Sequence, residues 1–415
     1  MTQMTRRADP VAAGAARSPS DAGAAAANDT DAVLERWTQS QRIVGATVIV
    51  LRDGAPIYRR AMGLADREAG RPAREDTIYR MASLTKAITS ATALALFDEG
   101  RLSLDDRVAD WLPDFTPRLA DGRRPDITVR QLLTHTSGLS YAALEPLESA
   151  YHREAIPAGL HQDGETLDQV IRRIASVPLI YEPGTQWRYS VSTDVLGAVI
   201  ARAAGVTLPE AVARHVTGPL GMTDTAFVVS DPARLSAAYK DGAGAAERMR
   251  RDVDMIPFGD PGVAFSPARA TDPGTWPSGG GGMSGTATDY VRFLEAIRTG
   301  GAPILSPASA KLFSTHQIGA LRAWTEGEGW GHGLGAAVLL DPEAAGTRQS
   351  PGTWQWGGVL GAHWFVDPAK ALTVVVLTNT SVAGVIGDFP GELRDAIYGT
   401  FAPGAFAQHA QPQYS

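Results

Sequence analysis

The segment Met81-Ala82-Ser83-Leu84-Thr85-Lys86-Ala87-Ile88-Thr89 places a serine three residues before a lysine, at the start of an apolar run. If this run is helical, residues three apart lie on one face, and the Lys86 side chain can reach the Ser83 hydroxyl. A serine hydroxyl is a poor nucleophile until a neighbouring base takes its proton, and a desolvated lysine can serve as that base. The segment therefore predicts a Ser-x-x-Lys nucleophile on the first turn of a long helix.

A Ser-x-x-Lys pattern also arises by chance, so its surroundings decide how it is interpreted. The chain has four lysines, and only Lys86 has a serine three residues before it; the others are Lys240, Lys311 and Lys370. Lys86 lies at the start of an otherwise apolar segment, and the residues that follow it, 87–97, are typical of a buried helix. Because burying a charge is costly, a lysine at this position indicates a function.

Length and composition exclude several classes of protein. The 415 residues suffice for one large domain or two interlocked ones, and 44% hydrophobic residues are typical of a globular protein. The formal net charge of 38 − 45 = −7 argues against nucleic acid or an anionic membrane as the main partner. With no cysteine, the chain has no disulfide, thiolate metal site or cysteine nucleophile.

Residues 1–30 are rich in Ala, Asp and Ser, and we expect a disordered N-terminal tail. Arg6-Arg7 would fit a twin-arginine export signal, but Asp9 and Pro10 follow at once, and Arg17 and Asp21 interrupt the apolar core that such a signal needs. We therefore expect a cytoplasmic protein. No run of eighteen apolar residues predicts a membrane span.

Strand-like segments lie near both ends of the chain. Two of them, 45–51 and 56–62, flank Asp53-Gly54, a strong hairpin signal. Four more segments follow the middle of the chain, at 333–340, 353–356, 361–367 and 371–378. We expect an α+β fold with an antiparallel sheet assembled from both ends, flanked by helices, and with a mostly helical domain inserted.

The predicted α/β domain comprises residues 31–104 and 283–402, the helical domain 105–282, and a C-terminal tail 403–415. Helices are predicted at both ends of this arrangement and between them, over 31–41, from Ser83 to near Gly100, and over 129–133, 166–175, 195–203, 208–215, 288–297 and 391–401.

A Ser/Lys pair needs a further proton carrier, and Trp187-Arg188-Tyr189-Ser190-Val191 supplies a candidate. A phenol acts as a base only where cations stabilise its anion, which Lys86 and Arg188 could do. Sequence spacing does not select Tyr189 over Tyr181, and a tyrosine after a Pro-Gly turn is more often a packing residue.

An oxyanion hole needs main-chain N–H groups that approach the substrate closely. Trp354-Gln355-Trp356-Gly357-Gly358-Val359 is a strand-like run that leads into two glycines, which permit such an approach. Taken alone, Gly-Gly is more often a plain turn.

Other chemistries lack their motifs. There is no Gly-x-Ser-x-Gly elbow, and the eight histidines show no metal-binding spacing. His135 is the residue to test as a triad base, although a structural role at a helix end is favoured. Gly279-Gly280-Gly281-Gly282 lacks the lysine and the Ser/Thr of a phosphate-binding loop.

The order and spacing of four motifs resemble the family VIII carboxylesterases, over residues 31–402. The motifs are Ser83-Leu84-Thr85-Lys86, Leu132–Leu139, Tyr189-Ser190-Val191 and Trp356-Gly357-Gly358. This resemblance implies a serine β-lactamase or penicillin-binding-protein fold, related to class C β-lactamases and D-Ala-D-Ala peptidases.

The resemblance further implies that Ser83 is acylated and that Lys86 and Tyr189 form its proton relay. The N–H groups of Ser83 and Val359 would form the oxyanion hole. Trp356, Gly357 and Gly358 would line the substrate pocket, and no cofactor or metal is implied.

Two departures from the lactamase pattern point to ester substrates. Val191 stands where lactamases and peptidases have the asparagine of Tyr-x-Asn, and Trp356-Gly357-Gly358 stands in place of Lys-Thr-Gly. Because those polar partners recognise β-lactams and peptides, we expect a carboxylesterase for short-chain acyl esters with weak or no β-lactamase activity.

Three rivals remain open. They are an acyltransferase that uses the same acyl-enzyme, a class C-like β-lactamase or D-amino peptidase, and a sensor that is acylated and stays so.

Overall fold

The computed structural model describes residues 19–162 and 164–401. Its strands are β1 Gly45–Arg52, β2 Ala55–Asp66, β3 Arg71–Pro72, β4 Tyr79–Arg80, β5 Tyr239–Lys240, β6 Glu247–Arg248, β7 Asp254–Ile256, β8 Val263–Phe265, β9 Ser284–Gly285, β10 Trp330–His332, β11 Ala337–Leu339, β12 Trp354–Gly358, β13 Ala362–Asp367 and β14 Leu372–Thr378.

Its α-helices are α1 Pro19–Gln39, α2 Thr85–Asp98, α3 Val108–Trp111, α4 Val129–Leu133, α5 Ala150–Arg153, α6 Leu167–Ser176, α7 Ser192–Ala204, α8 Leu208–Val212, α9 Ala287–Arg298, α10 Pro307–Ser314 and α11 Asp388–Phe401. A short 3₁₀ turn, Ala82–Leu84, leads into α2, and a π turn, Ala213–Thr217, continues α8.

An eight-stranded sheet joins the two ends of the chain in the order β10-β11-β12-β13-β14-β1-β2-β3. All of its neighbouring strands are antiparallel. The predicted hairpin is confirmed, and Asp53 and Gly54 have positive φ angles of 50° and 76°, which a tight turn requires. The predicted antiparallel sheet flanked by helices is likewise confirmed.

The adjacent interior strands β14 and β1 are buried on both faces, which explains their continuous apolar sequences. Alternate residues point to opposite faces. The side chains on one face pack with α1 and α11; they are Val48, Val50, Val374 and Val376. The side chains on the other face pack with α2 and α9; they are Ile49, Leu51, Val375 and Leu377.

Helix α2 is buried along almost its whole length, between the sheet and the helices from the middle of the chain. It contacts α7 on one side and α10 on the other. Its N-terminus therefore lies where the sheet and the helical layer meet. The same hydrophobic core includes residues of both layers, and the domain boundaries given above stay a prediction.

The structure differs from the prediction at several elements. Helix α1 begins at Pro19, so residues 19–30 of the predicted tail are helical; an alanine-rich run, 24–27, favours this because alanine has the highest helix propensity. Residues 1–18 and 402–415 lie outside the described residues.

Of the predicted strand 333–340, only residues 337–339 form a strand, β11, and β10 ends at His332, before the predicted segment begins. Gly333 and Gly335 lie in the turn between the two strands, and a Cβ at Gly335 would meet the Phe313 ring of α10 at 2.0 Å. The sequence interpretation also omitted α10 and the short ladders β4–β9, β5–β6 and β7–β8.

Within residues 19–162 and 164–401, no single helix is long and apolar enough to cross a membrane. Ser192–Ala204 and Leu208–Thr217 pass the test of length and composition only as a pair, and they are bent by 77°.

Candidate active site

Ser83 lies in the 3₁₀ turn immediately before α2, and its side chain is half-buried. Ala82 before it has a φ of 44°, an unusual conformation for a residue with a side chain, which turns the chain into the helix. Lys86, one turn further along, is only 4% exposed. Its Nζ lies 3.3 Å from Ser83 Oγ, so the structure brings together the pair that the sequence predicts.

Lys86 has an oxygen partner for each of its three possible N–H donors. Besides Ser83 Oγ, its Nζ lies 2.9 Å from Tyr141 Oη and 2.7 Å from the Gly280 carbonyl oxygen. The carbonyl can only accept, whereas both hydroxyls can donate or accept. Lys86 can therefore exchange a proton with either hydroxyl while Gly280 keeps its amine in place.

Tyr189 approaches Ser83 from the segment that precedes α7. Its hydroxyl donates a hydrogen bond of 2.6 Å to Ser83 Oγ, and its ring lies 4.7 Å from Lys86 Nζ. Tyr181, which the sequence could not distinguish from Tyr189, instead donates to the His135 carbonyl, and burial raises its pKa. The structure thus places Tyr189, and not Tyr181, at the nucleophile.

Arg188, the other cation that the sequence suggests for Tyr189, contacts the segment after α4. The guanidinium donates to Ser140 and to the Leu144 carbonyl, and it forms an ion pair with Glu145. Arg188 therefore has partners in the segment after α4.

Tyr141 is a site residue that sequence reasoning missed. Burial raises its pKa well above the ordinary value, and the neighbouring Tyr189 and Asp194 add to this rise. Its ring centroid lies 5.1 Å from that of Tyr189. Hydrogen bonds therefore link Tyr189 to Ser83, Ser83 to Lys86 and Lys86 to Tyr141.

The four glycines 279–282 have a structural role in this site. Side chains would not fit at Gly279 or Gly280, where a Cβ would come within 2.6 Å of the Thr193 carbonyl and 2.7 Å of Asp194 Oδ2, respectively. The close approach brings two carbonyls against α2, since Gly279 accepts from Thr89 and Gly280 from Lys86. The motif holds the lysine; the sequence had shown only that it is no phosphate loop.

The end of β12 contacts the Ser83 turn. A Cβ on Gly358 would lie 2.3 Å from the Met81 carbonyl oxygen, and one on Gly357 would lie 2.4 Å from Val385. The two glycines therefore permit the strand to pass against the nucleophile turn. Within the described residues, no backbone hydrogen bond uses the N–H of Ser83 or of Val359.

A wall of aromatic rings lies around Tyr189, the ring that contacts Ser83. Neighbouring rings lie between 5.2 and 6.1 Å apart, centroid to centroid, and the wall consists of His135, Trp187, Tyr189, His332 and Trp356. Trp356 is buried, and among the described residues its indole N–H has no hydrogen-bond partner. His332, like Tyr141, had no sequence signal that identified it.

His135, the other candidate base, does not face Ser83. Its Nδ1 lies 3.1 Å from Ser190 Oγ, and its ring packs behind Tyr189. Burial, together with the charges of His332 and Lys86, lowers the pKa of His135 well below its usual value. The structural role favoured for this histidine agrees with these contacts.

Among the described residues, no group of three or more histidine and acidic side chains is placed to hold a metal ion.

The chain is similar to proteins of known family. The β-lactamase family model matches residues 29–394. Esterase EstB from Burkholderia gladioli is 48% identical over 370 residues, which are 89% of this chain and 94% of that protein.

Two solved structures are similar in fold. EstCE1, described as a hydrolase with promiscuous acyltransferase activity, has a TM-score of 0.87 and 42% identity, and the match covers 91% of this chain and all of that one. The simvastatin synthase LovD from Aspergillus terreus has a TM-score of 0.72 at 23% identity, covers 90% and 98% of the two chains, and supports the fold alone.

The family match covers most of the chain, and the resemblance to the family VIII carboxylesterases is confirmed by the similarity to EstB and EstCE1. The chain belongs to the β-lactamase family.

Proposed function

We propose that the chain is a serine carboxylesterase that hydrolyses short-chain acyl esters through an acyl-enzyme on Ser83. The observation that carries the proposal is the convergence of two proton carriers on one hydroxyl. Ser83 Oγ lies 2.6 Å from Tyr189 Oη and 3.3 Å from Lys86 Nζ. The high identity to EstB supports the reaction class, and the chain is a carboxylic ester hydrolase of the β-lactamase family.

In the first step, Ser83 Oγ forms a bond with the ester carbonyl carbon, and its proton passes to the Lys86–Tyr189 pair. Tyr189 is the nearer carrier. Once the Lys86 amine is protonated, its positive charge beside the Tyr189 ring stabilises negative charge on the Tyr189 oxygen. Burial raises the pKa of Tyr141, which remains a phenol and accepts a hydrogen bond from Lys86. The pair acts as one proton-transfer unit.

The tetrahedral intermediate carries its negative charge on the former carbonyl oxygen. In our proposal the N–H groups of Ser83 and Val359 bind this oxyanion; their freedom from other backbone acceptors and the close approach of Gly358 to Met81 support that role. Each such donor typically contributes about 2.7–4 kcal/mol to the transition state.

The intermediate then collapses as the carbon–alkoxide bond breaks and the relay protonates the leaving alcohol. In the second half-reaction, water gives up a proton to the relay and attacks the acyl carbon, and Ser83 recovers its proton. The overall reaction consumes one ester and one water, and it releases an acid and an alcohol.

The aromatic wall supports an apolar ester as substrate. Tyr189 contacts Ser83, and Trp356 packs against Tyr189. Trp356 stands at the position where the lactamase pattern has a lysine. Rings of this kind bury apolar acyl or alcohol groups. Gly357 and Gly358 let the strand of Trp356 pass against the Ser83 turn, and a small-molecule ester is the proposed partner.

An acyltransferase is the second candidate, because EstCE1 is described with that activity beside hydrolysis. The same acyl-enzyme would be captured by an alcohol instead of water. Adding an acceptor alcohol to a hydrolysis assay and measuring the new ester against free acid separates the two activities.

The test of the esterase is hydrolysis of p-nitrophenyl acetate, butyrate and octanoate by wild type and Ser83→Ala. Ser90→Ala, a buried serine of the same helix, is the matched control. We expect sustained turnover in wild type and Ser90→Ala and none in Ser83→Ala. Equal turnover in wild type and Ser83→Ala would refute the assignment, and a burst of product without turnover would indicate the acylated sensor.

A further inference from the structure

A buried carboxylate lies behind the lysine of the proposed relay. Asp194, in the first turn of α7, is fully buried, and its Oδ1 accepts hydrogen bonds from Ser278 Oγ at 2.6 Å and from the Gly280 N–H at 3.0 Å. Within the described residues, its other oxygen, Oδ2, has no hydrogen-bond partner. Burying a carboxylate is costly, and two hydrogen bonds to one oxygen offset only part of that cost.

The carboxylate and the lysine share Gly280. The N–H of Gly280 donates to Asp194, and its carbonyl accepts from Lys86 Nζ at 2.7 Å. A Cβ on Gly280 would lie 2.7 Å from Asp194 Oδ2, so the backbone packs directly on the carboxylate. The position of the Lys86 acceptor is therefore set by Asp194.

The charges around Asp194 come from three elements. Burial, the largest cause, raises the pKa of Asp194, whereas the charges of Lys86 on α2 and of Arg269 in the turn Pro267–Thr271 act in the opposite direction. Arg269 also donates to the carbonyls of His161 and Trp276. Tyr141 is the third titratable neighbour, and the Asp194 charge disfavours its phenolate.

We propose that Asp194 is a positioning residue for the nucleophile, which holds the Gly280 carbonyl against Lys86 and supplies a fixed negative charge behind the Lys86–Tyr189 relay. The inference rests on the proposed function, because it concerns the same relay. It assigns a role to a carboxylate that touches neither Ser83 nor the aromatic wall within the described contacts.

The test compares Asp194→Asn with two other variants. The asparagine oxygen can still accept from Ser278 and Gly280, so this change removes the charge and little else. Ser278→Ala removes one hydrogen bond and keeps the charge. Asp289→Asn is the matched control, since Asp289 is a buried carboxylate that accepts from a backbone N–H and a threonine hydroxyl, has a raised pKa, and lies outside the site.

Two rates are measured from pH 5 to 9: hydrolysis of p-nitrophenyl butyrate, and covalent labelling of Ser83 by a fluorophosphonate. For Asp194→Asn we expect both rates at pH 7.5 to fall at least tenfold and the acidic limb of the profile to move to lower pH, because a nearby negative charge favours the protonated relay. Ser278→Ala should lose no more than fivefold without moving the limb, and Asp289→Asn should stay within twofold of wild type.

The inference is overturned if Asp194→Asn labels within twofold of wild type, or if its rate falls while the acidic limb stays in place. Should this variant fail to fold, Gly280→Ala tests the same contact, because its methyl group must displace the backbone from Asp194; retained labelling in that variant overturns the inference. Failure of the proposed function is distinguishable, since wild type itself would then not be labelled at Ser83.

Discussion

Glu145 and Arg188 form an ion pair between the segment after α4 and the segment before α7, with Glu145 Oε1 2.6 Å from the nearer Arg188 nitrogen and their side chains 8% and 27% exposed. Ser140 joins the pair, because its hydroxyl donates to Glu145 and accepts from Arg188. Tyr141 follows Ser140, and Tyr189 follows Arg188. The ion pair therefore fixes the distance between the two tyrosines of the relay.

We predict that Glu145→Gln destabilises the protein by about 1.5–3 kcal/mol, since it removes the charge from a largely buried hydrogen-bonded pair. Ester hydrolysis should fall about tenfold with a nearly constant KM, because the relay geometry loosens while the aromatic wall is unchanged. Urea unfolding and steady-state kinetics measure both effects. Asp168→Asn, which breaks the exposed ion pair with Arg202, is the control and should change neither.

Tyr141→Phe tests the hydrogen bond between Lys86 and Tyr141. The change removes the hydroxyl that accepts from Lys86 Nζ and keeps the aromatic ring. We expect kcat to fall between about tenfold and a hundredfold, consistent with the loss of roughly 1.5–3 kcal/mol from a hydrogen bond to a charged group. Tyr398→Phe removes an equally buried hydroxyl far from the site and should keep wild-type kcat. Equal activity of the two variants would exclude a role for Tyr141.

The difference between Tyr189 and Tyr141 shows what the sequence could and could not predict about the site. Ser83 and Lys86 are one helical turn apart, so local geometry alone brings them together. Tyr189 could be proposed through family resemblance, but the pairing of Tyr141 with Lys86 joins residues 55 positions apart, through a segment with no regular periodicity. No local pattern encodes such a contact.

The fold was predictable where the periodicity was strong. The hairpin β1–β2 and the strand β14 carry long apolar runs, and their boundaries agree to within a few residues. Two-residue ladders such as β4–β9 are too short to have a period, and the turn between β10 and β11 places Gly335 against the Phe313 ring, where no side chain fits. These elements depend on tertiary packing, which the sequence pattern does not record.

His332 makes folding stability depend on acid pH. Burial, the largest cause, lowers its pKa to about 4, below the usual 6.5, against a smaller opposing effect of its hydrogen bond to the Gly333 carbonyl. The unfolded chain therefore binds a proton that the folded chain excludes, so this contribution is complete above about pH 6.5 and is lost as the pH falls towards 4.

This pKa shift corresponds to a loss of folding stability on the order of 3 kcal/mol as the pH falls from 6.5 to 4. We expect the free energy of unfolding in urea to decrease from pH 6.5 to 4.5. In His332→Gln the decrease should be shallower, because about one proton fewer is taken up on unfolding. The two proteins should show the same pH dependence between pH 7 and 8.5. An unchanged slope in the variant at acid pH would contradict the assignment.

Gly358→Ala tests the approach of β12 to the nucleophile. Its methyl group would lie 2.3 Å from the Met81 carbonyl oxygen, so the strand must move away from the Ser83 turn. We expect at least a hundredfold loss of kcat, as for the removal of an oxyanion donor. Gly391→Ala is the control, because that glycine lies in α11 with no atom within 4 Å of the added group, and alanine should stabilise the helix by up to about 1 kcal/mol. Full activity in Gly358→Ala would refute the oxyanion proposal for Val359.

Turnover of a chromogenic cephalosporin tests the substrate class. Val191 is fully buried and apolar, and Trp356 occupies the strand position where the lactamase pattern has a lysine, so the amide and the carboxylate of a cephalosporin lose two polar partners. At about 1.5–3 kcal/mol for each, the missing contacts correspond to roughly a hundredfold to ten-thousandfold in rate. We therefore expect kcat/KM for the cephalosporin to lie at least a hundredfold below that for p-nitrophenyl butyrate. Ser83→Ala defines the background for both substrates. Comparable Ser83-dependent rates for the two substrates would show that the two polar partners are not needed. Such rates would favour a lactamase over an esterase, since the aromatic wall would then have to accept a charged substrate.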